Sequence, residues 1–190
     1  MARTRLTPER ENELYTAVLD LLGEVGYEAL TMDAVAARTR SSKATLYRQW
    51  GNKAELVVKA LRNDKPVHLA EVDTGSLRGD FQAVLGRSDD CRMEKNSALL
   101  RGLSHAVHTN PDLRQALRDL LIEPEMTGLG KLLQRAVDRG EVRADNPALS
   151  YLPHMMVGAV VARELIEERP ADREFLIDYA ESVVFPALGV

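Results

Sequence analysis

The chain has a single cysteine, Cys91, among its 190 residues. An internal disulfide has no second partner and a cysteine-based metal site no ligand set, which fits a reducing compartment. Long apolar runs are missing too: the longest, near Met155 to Ala162, is far short of the roughly 20 residues that a membrane-spanning helix needs. The start carries Arg3 and Arg5 and then turns polar through Thr7, Pro8, Glu9, Arg10 and Glu11, without the apolar stretch of a secretory signal, so a cytoplasmic protein with no membrane partner is expected. No segment alternates apolar and polar residues as a strand does, and there is no internal repeat or low-complexity tract. Catalytic signatures are absent as well: there is no Gly-x-Ser-x-Gly, no zinc-protease motif and no placeable pair of acids. Gly128-Leu129-Gly130-Lys131 echoes a phosphate loop but lacks the upstream glycine spacing, the following Ser or Thr, and a preceding strand. His105 and His108 stand three apart without a matched carboxylate or cysteine, so they read as surface or capped histidines. Neither enzyme activity, cofactor nor metal is expected.

What is present is ordinary globular composition, 45% hydrophobic and 28% charged, enough for one sizeable core or a small module beside a larger one. The formal net charge of −4 argues against a nucleic-acid partner until its distribution is considered. Arg38, Arg40, Lys43, Arg48 and Lys53 form a run with no Asp or Glu among them, whereas the chain after Pro66 is acidic. On charge alone the run reads first as a solvated helix face and only second as a phosphate-seeking patch.

Local signals resolve the ambiguity. Thr7-Pro8-Glu9 predicts a helix start, with Thr as N-cap, Pro at the first position and an acid against the positive dipole end. Leu14, Ala17, Val18, Leu21, Leu22 and Val25 then recur at helical spacing until Gly26 stops the run. Thr31 caps a short helix that ends near Arg38 or Thr39, Ser42 caps another over Lys43 to Arg48, and Asn52 opens a fourth with Glu55 three residues on. Asp64-Lys65-Pro66 ends that helix, and Val67 to Gly79 reads as a connector. Beyond it amphipathic helices are expected at roughly Leu77 to Leu85, Met93 to Val107, Asp112 to Val137, Ala148 to Glu167 and Asp172 to Phe185. Pro111, Pro124, Pro147 and Pro170 stand at possible starts.

Two short helices and a tight turn between Thr31 and Trp50 are what a helix-turn-helix requires. Val35, Ala36 and Leu46 supply an inner contact, with Ala36 and Ala37 allowing close approach. Lys43, Ala44, Thr45, Tyr47 and Arg48 are left outside. The hydroxyls of Thr31, Ser42 and Tyr47 suit phosphate oxygens, Lys43 and Arg48 suit phosphate or a guanine edge, and the Thr45 methyl suits a thymine methyl. Lys53 is placed to clamp the backbone on the far side.

The residues Tyr27-Glu28-Ala29-Leu30-Thr31-Met32-Asp33-Ala34-Val35-Ala36-Ala37-Arg38, then Ser42-Lys43-Ala44-Thr45-Leu46-Tyr47-Arg48-Gln49-Trp50 and Asn52-Lys53-Ala54-Glu55-Leu56, resemble the DNA-binding domain of TetR-type regulators over about residues 10 to 60. The resemblance implies phosphate contacts from Thr31, Tyr47 and Lys53, and Lys43, Ala44 and Thr45 facing the groove. Arg48 matches a variable position, and Trp50 an aromatic that packs between helices. Three positions depart from the pattern: Arg40 stands where Gly is usual, Ser41 where a small apolar residue is usual, and Gln49 where an aromatic is common. Either Arg40 occupies a mildly strained left-handed turn and adds a phosphate contact, or the turn has another shape.

The fold expected is therefore all-α, with a three-helix helix-turn-helix domain over 1–66, its last helix linking on, and a helical dimerisation and effector domain over 67–190. For the second part the resemblance implies a homodimer closed by the last two long helices and a small-molecule cavity. Periodicity nominates Tyr151, Val157, Val161 and Leu165 on one helix and Phe175, Tyr179 and Val183 on the next for the dimer face. Leu100, Leu103, Val107, Met155 and Met156 are nominated for an apolar effector pocket, with ordinary core as the alternative for each. The function expected is that of a ligand-responsive repressor on a palindromic double-stranded DNA operator. The rival is a helical interaction protein that has kept the scaffold without binding DNA; retention of Lys43, Thr45 and Tyr47 speaks against it.

Overall fold

The computed structural model describes residues 7–64, 69–86, 99, 103 and 105–190, and among them every regular element is helical. By contacts the chain divides into two compact units, Met1–Lys65 with Ala98–Glu123, and Pro66–Ser97 with Pro124–Val190. The division differs from one at residues 66/67 because residues 98–123 are assigned with the N-terminal helices.

In the first unit α1 spans Pro8–Ala29, opened by Thr7, whose Oγ1 accepts from the Arg10 N–H at 3.3 Å. Gly26 adopts φ 74°, ψ 169°, a region closed to side-chain-bearing residues, and breaks the helix; the Leu30 N–H then closes on the Gly26 carbonyl. The chain is thereby turned into α2 (Met32–Thr39), α3 (Lys43–Trp50) and α4 (Lys53–Asn63). Thr31, Ser42 and Asn52 accept from Ala34, Thr45 and Glu55 amides at 3.1, 3.1 and 2.9 Å. Every expected cap of this region is in place, each satisfying a backbone donor that the first helical turn leaves open.

Leu14, Val18, Val35, Leu46, Leu56 and Val57 are fully buried together, and Leu99, Leu103, Ala106 and Leu113 join the same core. Leu113 lies on α6 (Pro111–Leu117), which Asn110 caps and which packs on α4. A wide π-type turn, Arg118–Ile122, ends with the Glu123 N–H donating to the Arg118 carbonyl. It splits the single helix expected over Asp112 to Val137 and falls just before Pro124, whose nitrogen has no proton to donate. The buried ring of Trp50 meets Tyr15 edge to face at 5.9 Å, its indole N–H donates to the Tyr15 hydroxyl at 3.0 Å, and that hydroxyl donates to Glu11 at 2.8 Å.

The second unit contains α5 (Leu77–Gly86), α7 (Glu123–Asp138), α8 (Leu152–Glu167), α9 (Arg173–Tyr179) and α10 (Phe185–Leu188), with a second π-type turn over Ala180–Val184. Leu77, Phe81, Leu132, Leu152, Val184 and Phe185 form its core. The end of the expected connector is fastened by charge. Asp80, wholly buried, accepts from the Thr74 amide and hydroxyl at 2.6 and 2.8 Å and faces Arg139 at 3.6 Å. Glu141, also paired with Arg139, accepts the Leu77 N–H at 2.7 Å.

Burial pushes the Tyr15 hydroxyl up to about 12, the Trp50 hydrogen bond opposing it, and burial likewise takes Tyr27 to about 12. An unfolded tyrosine titrates near about 10. The folded state therefore keeps protons that the unfolded state loses, and stability should be intact below pH ~10 and fall as pH climbs towards ~12. Tyr15→Phe should shallow that alkaline fall. It should also cost about 1–3 kcal/mol at neutral pH, because the buried Trp50 N–H is left without an acceptor. Urea unfolding followed between neutral and strongly alkaline pH measures both.

Candidate nucleic-acid interface

The turn between α2 and α3 is set by one pair of hydrogen bonds. The Ser41 N–H reaches the Ala36 carbonyl at 3.0 Å, the Arg40 N–H the Ala37 carbonyl at 3.3 Å, and Arg40 sits at φ 50°, ψ 38°. This is the pattern that closes a helix with a left-handed residue, so of the two shapes open to the sequence the chain takes the one glycine would favour. Thr39 is buried beside it, its hydroxyl donating to Val35 O at 2.8 Å and its carbonyl accepting from the Arg10 guanidinium of α1. Ala36 is half-buried but Ala37 is exposed, so only the first allows close helix approach; Ala37 falls on the outer side of α2.

Leu46 and Trp50, four apart, turn one face of α3 inward, and Lys43, Ala44, Tyr47 and Arg48 are exposed on the other. Thr45 is half-buried, and its hydroxyl lies 2.8 Å from that of the cap Ser42. Thr31 is exposed, its hydroxyl engaged as the α2 cap. The nine residues Thr31, Arg40, Ser42, Lys43, Ala44, Thr45, Tyr47, Arg48 and Lys53 thus lie within one helix-turn-helix and the first position of the helix that follows it.

The cationic run is less open than its sequence implies. Arg38 makes a two-pronged pair with Glu24 of α1, at 2.7 and 3.1 Å. Lys43 Nζ meets Asp33 of α2 at 2.8 Å, a hydrogen bond that raises its pKa above the ordinary lysine range. Lys53, expected as a clamp on DNA, donates to the Tyr27 carbonyl at 2.9 Å and lies 4.2 Å from the Tyr27 ring centroid. Burial lowers its pKa below the usual range. The end of α1 at Ala29 leaves carbonyls of its last turn short of helical donors, and the half-buried Lys53 supplies one to Tyr27. Among the described residues Arg40 and Arg48 have no protein partner. Glu24 and Asp33 are the residues that sequence reasoning missed. Neither lies in the run, and only the packing of α1, α2 and α3 brings them to it.

In the second part Leu103 is buried in the first unit's core with Val107 against it, whereas Met155 and Met156 pack against the core of the second unit. Leu100 lies outside the described residues. A cleft of about 360 Å³ in the first unit is lined by Asn52, Glu55, Asp112, Gln115, Ala116, Asp119 and Leu120, a polar, acidic set that includes none of the five nominated pocket residues. On α8, Val157, Val161 and Leu165 form an exposed stripe four apart, with Ile166 beside it and Tyr151 exposed at the helix start. Val183 is exposed too, but Phe175 and Tyr179 are half-buried in the unit's own clusters, Phe175 beneath the Arg163 guanidinium at 4.0 Å. Ile166 follows the stripe without fitting its four-residue spacing, so periodicity did not nominate it. No group of three or more His, Cys, Asp or Glu able to hold a metal occurs among the described residues, and no described helix is long and apolar enough to cross a membrane.

An all-helical chain that presents a capped, outward-facing second helix from a helix-turn-helix is, by class, a DNA-binding transcriptional regulator. Residues 14–60 match the family model for bacterial regulatory proteins of the tetR family, and residues 71–183 that for the tetracyclin repressor-like C-terminal domain. Over 180 residues the chain is 35% identical to an uncharacterized HTH-type transcriptional regulator of Mycobacterium bovis, covering 94% of this chain and 88% of that protein. Over 168 residues it is 33% identical to the DNA-binding transcriptional repressor TetR of Mycobacteroides abscessus, covering 88% and 87%. The fold matches the crystal structure of a TetR family transcription regulator with a TM-score of 0.67 at 28% identity, over 94% of this chain and 98% of that one. The chain belongs to the TetR family of bacterial transcriptional regulators.

The left-handed turn makes a stability prediction. Arg40→Gly removes the Cβ that makes φ 50° unfavourable, a gain partly offset by the greater freedom of glycine in the unfolded chain. The expected net gain is about 0.5–1 kcal/mol in urea unfolding; a loss of stability means the arginine side chain holds the turn through contacts of its own.

Proposed function

We propose that the chain is a ligand-responsive repressor that binds a palindromic operator as a homodimer in the cytoplasm and leaves it when a small apolar effector binds. The observation that carries the DNA part is the outer face of α3: Lys43, Ala44, Tyr47 and Arg48 point to solvent while Leu46 and Trp50 anchor the helix from behind. In this reading Thr31, Ser42, Tyr47 and Lys53 take phosphates, with Lys53 turning away from Tyr27 to do so. Lys43, Ala44 and Thr45 meet base edges at the N-terminal end of α3, and Arg40 and Arg48 add free positive charge beside them. The repressor role is supported by the printed description of the Mycobacteroides abscessus relative. Binding over a promoter also blocks transcription without further machinery.

A symmetric dimer supplies the two matching α3 helices that a palindrome requires. Support for it is the stripe of Val157, Val161, Leu165 and Ile166, exposed at 63%, 63%, 82% and 77%, a costly surface for a monomer to leave in water. Tyr151 and Val183, also exposed, belong to the proposed face, whereas Phe175 and Tyr179 pack in the unit's own clusters. For the effector, Leu103 and Val107, or Met155 and Met156, provide apolar walls, and a screen of hydrophobic compounds by thermal shift tests for it. No step of this function needs a catalytic group or cofactor.

DNA binding is tested on the promoter fragment beside the chain's own gene. The affinity should fall steeply as salt rises, since phosphate neutralisation releases counterions. Tyr47→Phe and Lys53→Ala should weaken all sequences alike, whereas Thr45→Ala should relax choice at one base position by about 1 kcal/mol or more. Equal losses on every sequence for all three variants count against the base-contact role of Thr45, and salt-independent binding counts against the whole reading. Assembly is tested by Val161→Asp with Leu165→Glu: sedimentation should show monomers and operator affinity should drop at least tenfold, since half the contacts are then lost; an intact dimer moves the interface elsewhere.

A further inference from the structure

Asp33 lies in the first turn of α2 and Lys43 at the first position of α3, and carboxylate and ammonium meet at 2.8 Å. Both side chains are open to water, 71% and 50% exposed respectively, so the pair adds little to folding stability. Asp33 does not cap α2 either, since Thr31 does that. Its place in the first turn of α2 suits the helix dipole, yet beside DNA it is an expensive one for an anion. In the proposed reading the N-terminal end of α3 is the part that enters the groove, and an acid there repels the phosphates that the neighbouring cations attract.

The number of donors on lysine makes the pair informative. An ammonium has three N–H donors, and Asp33, with both carboxylate oxygens 2.8 Å from Lys43 Nζ, occupies no more than two of them. A remaining donor can still reach a base-edge acceptor, such as guanine O6 or N7, without releasing the carboxylate. A phosphate contact is different, because its strength comes from net charge, and the charge of Lys43 is already compensated. To gain Lys43 as a phosphate ligand, a random duplex has to displace Asp33 and then accommodate the freed anion.

We propose that Asp33 is a specificity-determining residue of the DNA interface: it holds Lys43 for base-edge contacts and withholds it from backbone phosphate, so that non-cognate DNA is bound less tightly. The inference rests on the proposed entry of α3 into the groove. It assigns a role to a residue outside the set nominated from sequence. The other neutralised cation of the run does not share the role, because Arg38 is paired from α1 by Glu24 and does not lie on α3.

The test compares Asp33→Asn with the wild type, each with Lys43 intact and with Lys43→Gln, on two probes across a potassium chloride series. One probe is a random-sequence duplex; the other is a duplex that the wild-type chain selects from a random pool. With Lys43 intact, Asp33→Asn should tighten the random duplex about three- to tenfold and steepen its salt dependence by about one counterion. The selected duplex should change less than about twofold, so the preference for it shrinks. With Lys43→Gln, the effect on the random duplex should fall below about twofold. Equal tightening on both duplexes, an effect that survives loss of Lys43, or weaker binding to both overturns the inference, since each marks general repulsion or mere positioning. A wild type that selects no duplex and binds random DNA without salt dependence overturns the DNA-binding reading itself, and this inference with it. Thermal unfolding of all four chains confirms that they are folded.

Discussion

A helix of eight residues, the length of α3, does not persist in water alone, because forming the first turn costs more than so few hydrogen bonds return. Its existence depends on Leu46 and Trp50, which bury one side of it against Val35, Tyr15 and the rest of the N-terminal core. The Trp50 indole adds a directional constraint, since its N–H needs the Tyr15 hydroxyl and that hydroxyl is held by Glu11. The rotation of α3 about its axis is thereby fixed, and with it the identity of the residues left outside. Had the inward pair stood one position along, Lys43 and Tyr47 would lie on a flank and the exposed face would be another set. The same anchoring sets the entry to α3. The turn before it is tied down by the paired bonds at Arg40 and Ser41 and by Arg10 on the Thr39 carbonyl.

Electrostatics then act on a surface whose geometry is already decided. With a net charge of −4 the molecule as a whole repels a polyanion, so a DNA-binding role has to be carried by local charge. Locally three of five cations are engaged: Arg38 by Glu24, Lys43 by Asp33, and Lys53 by a backbone carbonyl. Exposed pairs of this kind are weak and salt-screened, so they bias the surface without locking it. Lys53 is different in kind, because its contact also repairs the last turn of α1 beyond Gly26. Moving it to a phosphate exposes that repair to water, a cost that a Lys–Asp pair on the surface does not carry.

Much of the N-terminal unit was legible because its determinants are local. Thr7, Thr31, Ser42 and Asn52 announce helix starts by their own side-chain chemistry, and Gly26 announces a break by needing a positive φ. The inward spacing of Leu46 and Trp50 is a property of the segment itself. What escaped the sequence is non-local. Glu24 and Asp33 reach the cationic run only after three helices pack, and the inward turn of Lys53 depends on a carbonyl 26 residues earlier. The two π-type turns, over Arg118–Ile122 and Ala180–Val184, carry no composition signal, and a helical period that slips by one residue is invisible to pattern counting. The assignment of residues 98–123 to the N-terminal unit could not be read either, since amphipathicity says that a face is buried but not against what.

The same limit governs the second unit. Its core and the buried Asp80 with its partners Arg139 and Glu141 specify a fold, but a hydrophobic core and an apolar ligand pocket are built from the same side chains, so residue type cannot separate them. Met155 and Met156 meet both descriptions. The α8 face escapes this ambiguity. Core residues such as Leu152 and Ala159 already satisfy the inward side of that helix, yet Val157, Val161, Leu165 and Ile166 remain in water on the other. A helix with apolar residues on both sides has more hydrophobic surface than its own unit can cover. The excess is ordered at four-residue spacing over two turns, which is the register that a facing helix needs in order to interdigitate. In the proposed homodimer, a second copy of the chain is what supplies that facing helix.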